Sequence, residues 1–370
     1  MPRPTVPRVE LSGSPYEIGL AHGRLLAPQI HSQLEIYRDI FLENCKFEWP
    51  KVLGLAAQYR SIIAALAPEL LEEMRGIADG VGGTDVGLLD IVALNSRSEI
   101  ALGLWDDGCT SLAWNMRGSG KQLLAQNWDW RTSVGENLAL AHITQVGKPS
   151  IWMVIEPGIV GKIGFNSASV GVCLNAIRAS PTSTSLLPIH LLLRIALEHD
   201  SVDSAIAAIE RLGGAASSQH ILIADANGGR GLELSPRGGV YLKEDRNGII
   251  VHTNHFLENN LVDEPPWLSG SPMRLKRARS LCGNIMQDLG CEGLPQGVNP
   301  ALLRDRVFSD SVNSPQAICC VPDIAKGGLA RIATLFNIVM MFEPREKPCA
   351  EVVFGKPGSS EQSEVYELPW

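Results

Sequence analysis

The sequence predicts a layered α+β sandwich, and three observations carry that prediction. Residues 1–105 are dominated by apolar spacing of helical period, strand-like alternation begins just after Cys109, and two more helical patterns near 187–212 sit among many short strands. Two sheets packed face to face, with helices from the N-terminal part and from mid-chain outside them, bury all of these apolar faces together. The chain has 370 residues, enough for one such unit, and neither an internal repeat nor a low-complexity linker divides it.

Residues 7–13 read as a short strand. A helix start follows, with Ser14 as N-cap, Pro15 at the first helical position and Glu17 closing a capping box. Helical spacing then runs toward Phe41. A second helical stretch is expected from about 50 to 78 and a third from 84 to about 102, separated by Gly80-Val81-Gly82-Gly83. After Cys109, residues 111–116 and 122–128 read as strands joined by a Gly118-Ser119-Gly120 turn. Strand patterns recur at 138–145, 151–155, 163–166 and 170–175. Helices are expected at 187–199 and at 202–212, the second capped by Ser201. Strands return at 220–224, 231–235, 239–242 and 249–253. The turn-rich stretch 258–300, with one helix near 273–289, reads as a variable excursion or lid, and strands at 334–342 and 350–354 close the chain.

Hydrophobic residues at 45% and charged residues at 19% describe a soluble globular chain. The net charge of -8 points away from nucleic acid, and the densest basic cluster, Lys276-Arg277-Ala278-Arg279, reads as a solvated helix face. No stretch approaches the ~18 apolar residues needed to span a bilayer. The opening lacks the apolar core of a signal peptide, and Glu367-Leu368-Pro369-Trp370 is not a peroxisomal tail. A cytoplasmic protein without membrane partners is expected. The eight cysteines contain no CxxC pair, a pattern that suits reduced thiols rather than a zinc site or a disulfide framework.

Cys109 is the residue with the most chemistry to offer. It follows Gly108 at the helix-to-strand boundary, in Trp105-Asp106-Asp107-Gly108-Cys109-Thr110-Ser111. A glycine before the thiol leaves its carbonyl open to attack and its backbone free to adopt strained angles. Attack by the Cys109 thiol on that carbonyl, then hydrolysis of the thioester, would leave Cys109 as a chain terminus. Its α-amine, with an unperturbed pKa of roughly 7.7–8.0, would be the base for its own thiol. A buried structural cysteine is the competing reading of a lone Gly-Cys pair.

Further polar clusters stand at strand ends. Gln126-Asn127-Trp128-Asp129 closes a strand that pairs with the strand of Cys109, so Asp129 falls near the Cys109 amine; an aspartate bonding its own turn is the alternative. In His252-Thr253-Asn254-His255, the Asn254 amide is a suitable oxyanion donor, worth roughly 2.7–4 kcal/mol in comparable sites. The i, i+3 spacing of the two histidines suits a metal poorly, since no third ligand is evident. A dyad of Cys109 with His252 or His255 stays open on spacing alone. Arg331, before the apolar run 332–337, reads either as a surface charge or as a bidentate partner for a carboxylate. The glycine spacing of 158–166 lacks the GK[ST] of a phosphate loop and reads as a turn between strands.

These segments together resemble the isopenicillin N acyltransferase family, that is, acyl-coenzyme A:6-aminopenicillanic acid acyltransferases, within the N-terminal-nucleophile (Ntn) hydrolases. The likeness covers nearly the whole chain: SPYEIGLAHG at 14–23, MRGIADG at 74–80, LNSRSE at 94–99, DGCTS at 107–111 and QNWDW at 126–130. It continues through GIVGKIGFNSASVGV at 158–172, LRIALE at 193–198, LELSP at 232–236, VHTNH at 251–255 and ATLFN at 333–337. The resemblance implies a four-layer αββα sandwich, the Ntn-hydrolase fold, and scission between Gly108 and Cys109. It also implies an α chain 1–108 and a β chain 109–370 held as an intramolecular heterodimer. Cys109 would be the nucleophile, Asp129 the partner of its amine, Asn254 the oxyanion donor and Arg331 a support for the aspartate. Ser235 falls on a position linked to processing or acyl transfer.

Two departures separate the chain from penicillin-forming members: it has no peroxisomal tripeptide, and Arg331 lies in Leu-Ala-Arg-Ile rather than Ser-Arg-Gly. The expected activity is N-acyl transfer from acyl-coenzyme A, or from an amide, to an amine, in fungal secondary metabolism and with no bound cofactor or metal. Amide hydrolysis at the same site is the alternative, and a processed but inactive binding protein a third.

Overall fold

In the computed structural model, residues 6–101, 108–266, 270–292, 297–323, 325, 327, 331–358 and 364–370 are described. Trp105, Asp106 and Asp107 of the motif before Cys109 lie outside them, as do Leu329 and Ala330 before Arg331.

The chain starts with β1 (Arg8–Ser12), followed by α1 (Pro15–Leu25), α2 (Ala27–Ile40), α3 (Trp49–Leu66), α4 (Pro68–Val81), α5 (Leu88–Asn95) and α6 (Arg97–Ile100). The expected capping box is present: the Glu17 amide donates to Ser14 Oγ, and the Ser14 amide donates to Glu17 Oε2 at 2.8 Å. Each of the three long helical stretches is split in two. The breaks fall at Leu26, just before Ala27-Pro28, at Ala67 before Pro68, and at Ser96. Proline disfavours helical geometry at the residue before it, which accounts for the break at Ala67, and at the first break Pro28 has no N–H with which to continue the ladder of α1.

α1 and α4 cross at backbone contact. A Cβ on Gly19 would lie 1.9 Å from the Glu73 carbonyl oxygen, and one on Gly76 would lie 2.2 Å from that of Tyr16. Only glycine permits this approach, so the SPYEIGLAHG and MRGIADG segments are two halves of one helix crossing.

The strands form two sheets. The first orders β1, β4 (Ala139–Thr144), β5 (Ile151–Ile155), β6 (Ile163–Asn166), β7 (Gly171–Ala176), β8 (Gln219–Asp225), β9 (Gly228–Ser235) and β10 (Gly238–Lys243). The second orders β11 (Ile249–His252), β2 (Gly108–Met116), β3 (Lys121–Arg131), β12 (Ile332–Phe342), β13 (Cys349–Phe354) and β14 (Val365–Leu368). A short helix α7 (Thr132–Gly135) follows β3. α8 (Ile189–Leu197) and α9 (Val202–Arg211) pack on the first sheet, and Ser201 caps α9 as expected. α10 (Ser271–Glu292) packs against β11 and β2 on the outer face of the second sheet, and α11 (Pro300–Leu303) follows it.

β2 and β3 face β7 and β8 across the interior, so the layers are helix, sheet, sheet, helix: the αββα sandwich. The second sheet is buried on both faces, which is visible in β2. Leu112 and Trp114 join Leu275, Ala278 and Ile285 of α10 in one apolar core, whereas Cys109 and Ala113 join the core between the sheets. The 258–300 stretch therefore departs from the expected excursion. Its helix covers a sheet, because Leu275, Ala278, Cys282 and Ile285 form an apolar stripe with nowhere else to go.

Candidate active site

Strand pairing puts the Gly108–Cys109 bond opposite the end of β3. Gly108 pairs with Asp129, and Cys109 with Trp128. Cys109 is 1% exposed. A Cβ on Gly108 would lie 2.8 Å from Asp129 Oδ2, so the carboxylate sits directly against this glycine. Asp129 is held from the far side by β12, where Thr334 Oγ1 donates to Asp129 Oδ1 at 2.6 Å.

The Cys109 amide donates to Asn254 Oδ1 at 2.8 Å. Asn254 Nδ2 donates to the Ala176 carbonyl at 3.0 Å, and its backbone amide donates to Ser271 Oγ at 2.8 Å. In the uncut chain the side chain thus holds the peptide N–H of the nucleophile. Arg274 of α10 completes the cluster, donating from Nη1 to the Cys109 carbonyl at 2.5 Å and from Nη2 to Asn254 Oδ1 at 2.8 Å. Sequence reasoning missed Arg274, Ser271 and Thr334, because a helix over a strand end and a neighbouring strand supply them. The only signal for Arg274 was a basic residue one position before the apolar stripe of α10.

The expected residues fare differently. Cys109, Asp129 and Asn254 converge. Arg331 stands exposed just before β12, where its carbonyl accepts from the Thr132 amide at 3.0 Å; Thr334 of that strand reaches Asp129 with its hydroxyl. Ser235 donates to the Gly238 carbonyl at 2.9 Å and accepts from the Arg237 amide, so its hydroxyl serves the β9–β10 turn. Neither histidine forms a dyad with Cys109. His252 Nε2 bonds Glu233 at 2.9 Å and its Nδ1 donates to the Thr253 carbonyl, while His255 Nδ1 bonds Ser271 Oγ and Thr253 Oγ1. Burial, then His252 and Arg274, push His255 down to about 4, so it is neutral near pH 7. His252 stacks on His220 with ring centroids 3.5 Å apart. His220 reaches Asn175, which accepts from Ser111 Oγ at 2.6 Å, so this buried chain braces β2.

On the other side of Cys109 lies a small cavity of about 20 Å³, room for roughly one water, bordered by Cys109, Arg97, Trp128, Trp130, Lys162 and Ala176. Behind it, Glu156 accepts from Lys162 Nζ at 2.5 Å, Arg97 Nη2 at 2.6 Å, Tyr37 OH at 2.6 Å and Gln33 Nε2 at 2.9 Å. Burial works to raise the Glu156 carboxyl, but Arg97 and Lys162 prevail and hold it below its ordinary value. Residues 158–162 of the glycine-spaced segment connect β5 to β6 and deliver Lys162 to this cluster, and 163–166 are β6 itself. A Cβ on Gly161 would meet the His190 carbonyl oxygen at 2.0 Å, so the backbone there rests on α8. Among the described residues, no group of three or more His, Cys, Asp or Glu side chains is placed to hold a metal, and no helix is long and apolar enough to cross a membrane.

The chain matches the family model described as acyl-coenzyme A:6-aminopenicillanic acid acyl-transferase over residues 116–292. It is 34% identical over 361 residues to the acyl-coenzyme A:6-aminopenicillanic-acid-acyltransferase 40 kDa form of Emericella nidulans, covering 96% of this chain and 95% of that relative. Among solved structures it is similar to a variant of conjugated bile acid hydrolase from Clostridium perfringens, with a TM-score of 0.49 and 12% identity over 70% of this chain and 92% of that one. It is also similar to penicillin V acylase from Agrobacterium tumefaciens, with a TM-score of 0.39 and 14% identity over 70% and 86% of the respective chains. The family relationship defines an enzyme of the acyltransferase type. The chain belongs to the acyl-coenzyme A:6-aminopenicillanic acid acyl-transferase family.

Proposed function

We propose that the chain cuts itself between Gly108 and Cys109 and then works as an N-terminal-cysteine acyltransferase. The observation that carries this reading is the Gly108–Cys109 bond at the head of β2, with Asp129 against Gly108 and Asn254 on the Cys109 amide. In scission, the thiol adds to the Gly108 carbonyl and the C–N bond breaks, leaving a thioester and a new amine. Water then releases the Gly108 carboxylate and the Cys109 thiol. Residues 1–108 become one fragment and 109–370 the other, held together as one αββα unit.

In the processed enzyme the Cys109 amine takes the thiol proton, with Asp129 orienting the resulting ammonium. The thiolate attacks an acyl donor, for which acyl-coenzyme A is the favoured class since the Emericella relative is named for it. The oxyanion is met by Asn254, whose side-chain amide turns from Ala176, and by backbone N–H groups. The coenzyme A thiol leaves, and a small-molecule amine attacks the acyl-enzyme. Water attacking the same intermediate gives hydrolysis, so the balance between transfer and hydrolysis rests on how dry the acceptor site stays. Arg331 and Ser235 remain candidates for supporting the scission step.

The test is the intact mass of the purified chain under denaturing conditions, followed by coenzyme A release in the presence of an amine panel that includes 6-aminopenicillanic acid. Two fragments meeting at Gly108/Cys109, with amine-dependent release, are expected. A single uncut species, or release unaffected by any amine, overturns scission or transfer respectively.

A further inference from the structure

Lys162 is a fully buried lysine with one carboxylate to share. Its ammonium donates to Glu156 at 2.5 Å and rests on the Trp128 ring, 3.5 Å from the centroid. Trp128 is the residue paired across the ladder from Cys109, and Lys162 and Cys109 border the same small cavity.

Arg97, from α6, shares Glu156 with Lys162. Tyr37, from α2, donates its hydroxyl to Glu156, and burial pushes its pKa well up, so it is neutral. His190, from α8, accepts from Arg97 on Nε2 and donates from Nδ1 to Gly161. Burial, then Arg97 and Lys162, hold it well below its ordinary value, so it adds no charge near pH 7. Glu99 spends its bonds on Ser217 Oγ and the Ile189 amide. Around Cys109 itself stand Asp129 from β3, Arg274 from α10 and the Cys173 thiol of β7, which burial pushes well up and keeps protonated.

A buried cation and a buried anion each gain from the other when the space between them is dry, and the small cavity that Lys162 borders is bordered also by Cys109. We infer that Lys162, fixed by Glu156 and Trp128 at the cavity wall, is the counter-charge for the Cys109 sulfur whenever that sulfur is a thiolate. This rests on Cys109 being the nucleophile, as proposed above. Lys162 is a positioning residue: it neither gives nor takes a proton, since the thiol proton passes to the Cys109 amine and returns from it. Burial, with Arg97 adding to it, brings Lys162 down to about 8, while Glu156 and Cys109 pull the other way. A lysine so placed gains from a neighbouring anion, and the anion gains equally from the lysine.

The experiment is the pH dependence of alkylation of Cys109 in the processed enzyme by iodoacetamide, read by peptide mass, for the wild type, Lys162→Gln, Lys162→Arg and Glu156→Gln. An opposite charge at close range typically shifts a thiol by about 1–3 pH units. The midpoint is expected to rise by at least about one unit in K162Q, to stay near wild type in K162R, and to fall in E156Q, where a carboxylate is lost and both cations remain. Thermal melts separate these shifts from unfolding. A further readout needs no variant: relative to iodoacetamide, iodoacetate should alkylate wild-type Cys109 roughly tenfold faster than it alkylates free N-acetylcysteine, as a fixed cation demands. An unchanged midpoint in a folded K162Q, or a wild-type ratio matching the free thiol, overturns the role of Lys162 while leaving Cys109 as nucleophile. A wild-type chain that stays uncut removes the nucleophile reading first and this inference with it.

Discussion

Thr334 Oγ1 donates to Asp129 Oδ1 at 2.6 Å, across the ladder between β12 and β3, while Asp129 itself stands opposite Gly108. One strand therefore aims the carboxylate that another brings to the scissile bond. A hydrogen bond to a charged group is worth about 1.5–3 kcal/mol. Thr334→Val should slow scission about tenfold or more, and Asp129→Asn should slow it further. A time course of fragment appearance checks this, and wild-type kinetics in T334V would show that the aim of Asp129 is set elsewhere.

Cys109→Ala should give one uncut chain of 40.0 kDa, because no other group in the cluster replaces the sulfur. Intact mass reads the result directly. Normal cutting in this variant would end the self-processing reading.

Arg274 holds the Cys109 carbonyl and Asn254 Oδ1 with two nitrogens of one guanidinium. Lysine offers a point charge where arginine offers a planar fork. Arg274→Lys should therefore lower kcat/KM by about 10²-fold with little recovery over Arg274→Ala, a loss of roughly 2.7 kcal/mol in transition-state stabilisation. Equal activity in R274K and wild type would reduce Arg274 to a charge alone.

His22 is buried and accepts from the Gly158 amide at 3.0 Å on Nε2. Burial, with Arg194 adding to it, pushes its pKa down to about 4. The unfolded chain takes up a proton at His22 near pH 6.5, the folded chain only near 4, so stability is lost as pH falls through that window. The full difference is roughly 3 kcal/mol. Melting temperatures between pH 4.5 and 7 should fall more steeply for wild type than for His22→Gln. His190 and His220, also depressed by burial, contribute the same sign in both proteins. Parallel curves would place the acid sensitivity in those residues instead.

Gly76 lies where α4 touches α1, with a Cβ there 2.2 Å from the Tyr16 carbonyl oxygen. Gly76→Ala must push the helices apart, and overpacking of this kind costs about 1–3 kcal/mol or more. Gly54→Ala, with nothing within 4 Å of its Cβ on a neighbouring helix, should be neutral or slightly stabilising, as expected for a helix interior. Chemical denaturation of the pair tests the contrast.

Much of this was legible in the chain because it is local. Ser14 and Glu17 close a capping box across three residues, and the Gly118-Ser119-Gly120 turn joins β2 to β3 in a register that brings Asp129 to Gly108. Alternation in β2 and β3 announced strands, although it did not announce that both faces would be covered. The 258–300 stretch misled because its stripe of Leu275, Ala278 and Ile285 only makes sense once the outer face of β2 is known.

Pattern and spacing determined a layered α+β sandwich and the Gly108–Cys109 junction, and one hairpin brought Asp129 to it; the αββα order and the oxyanion role of Asn254 came from the family resemblance. Tertiary structure alone decided what surrounds the sulfur. Arg274 comes from a helix 165 residues on, Thr334 from a strand 205 residues beyond Asp129, and Lys162 from a loop seated on α8. Arg274 and Thr334 meet their partners far off along the chain, while Lys162 bonds Glu156 close by in sequence and is brought to the Cys109 cavity only by the fold. Burial enforces such pairings, because a polar group taken out of water must find its partner in space wherever the folded elements bring one.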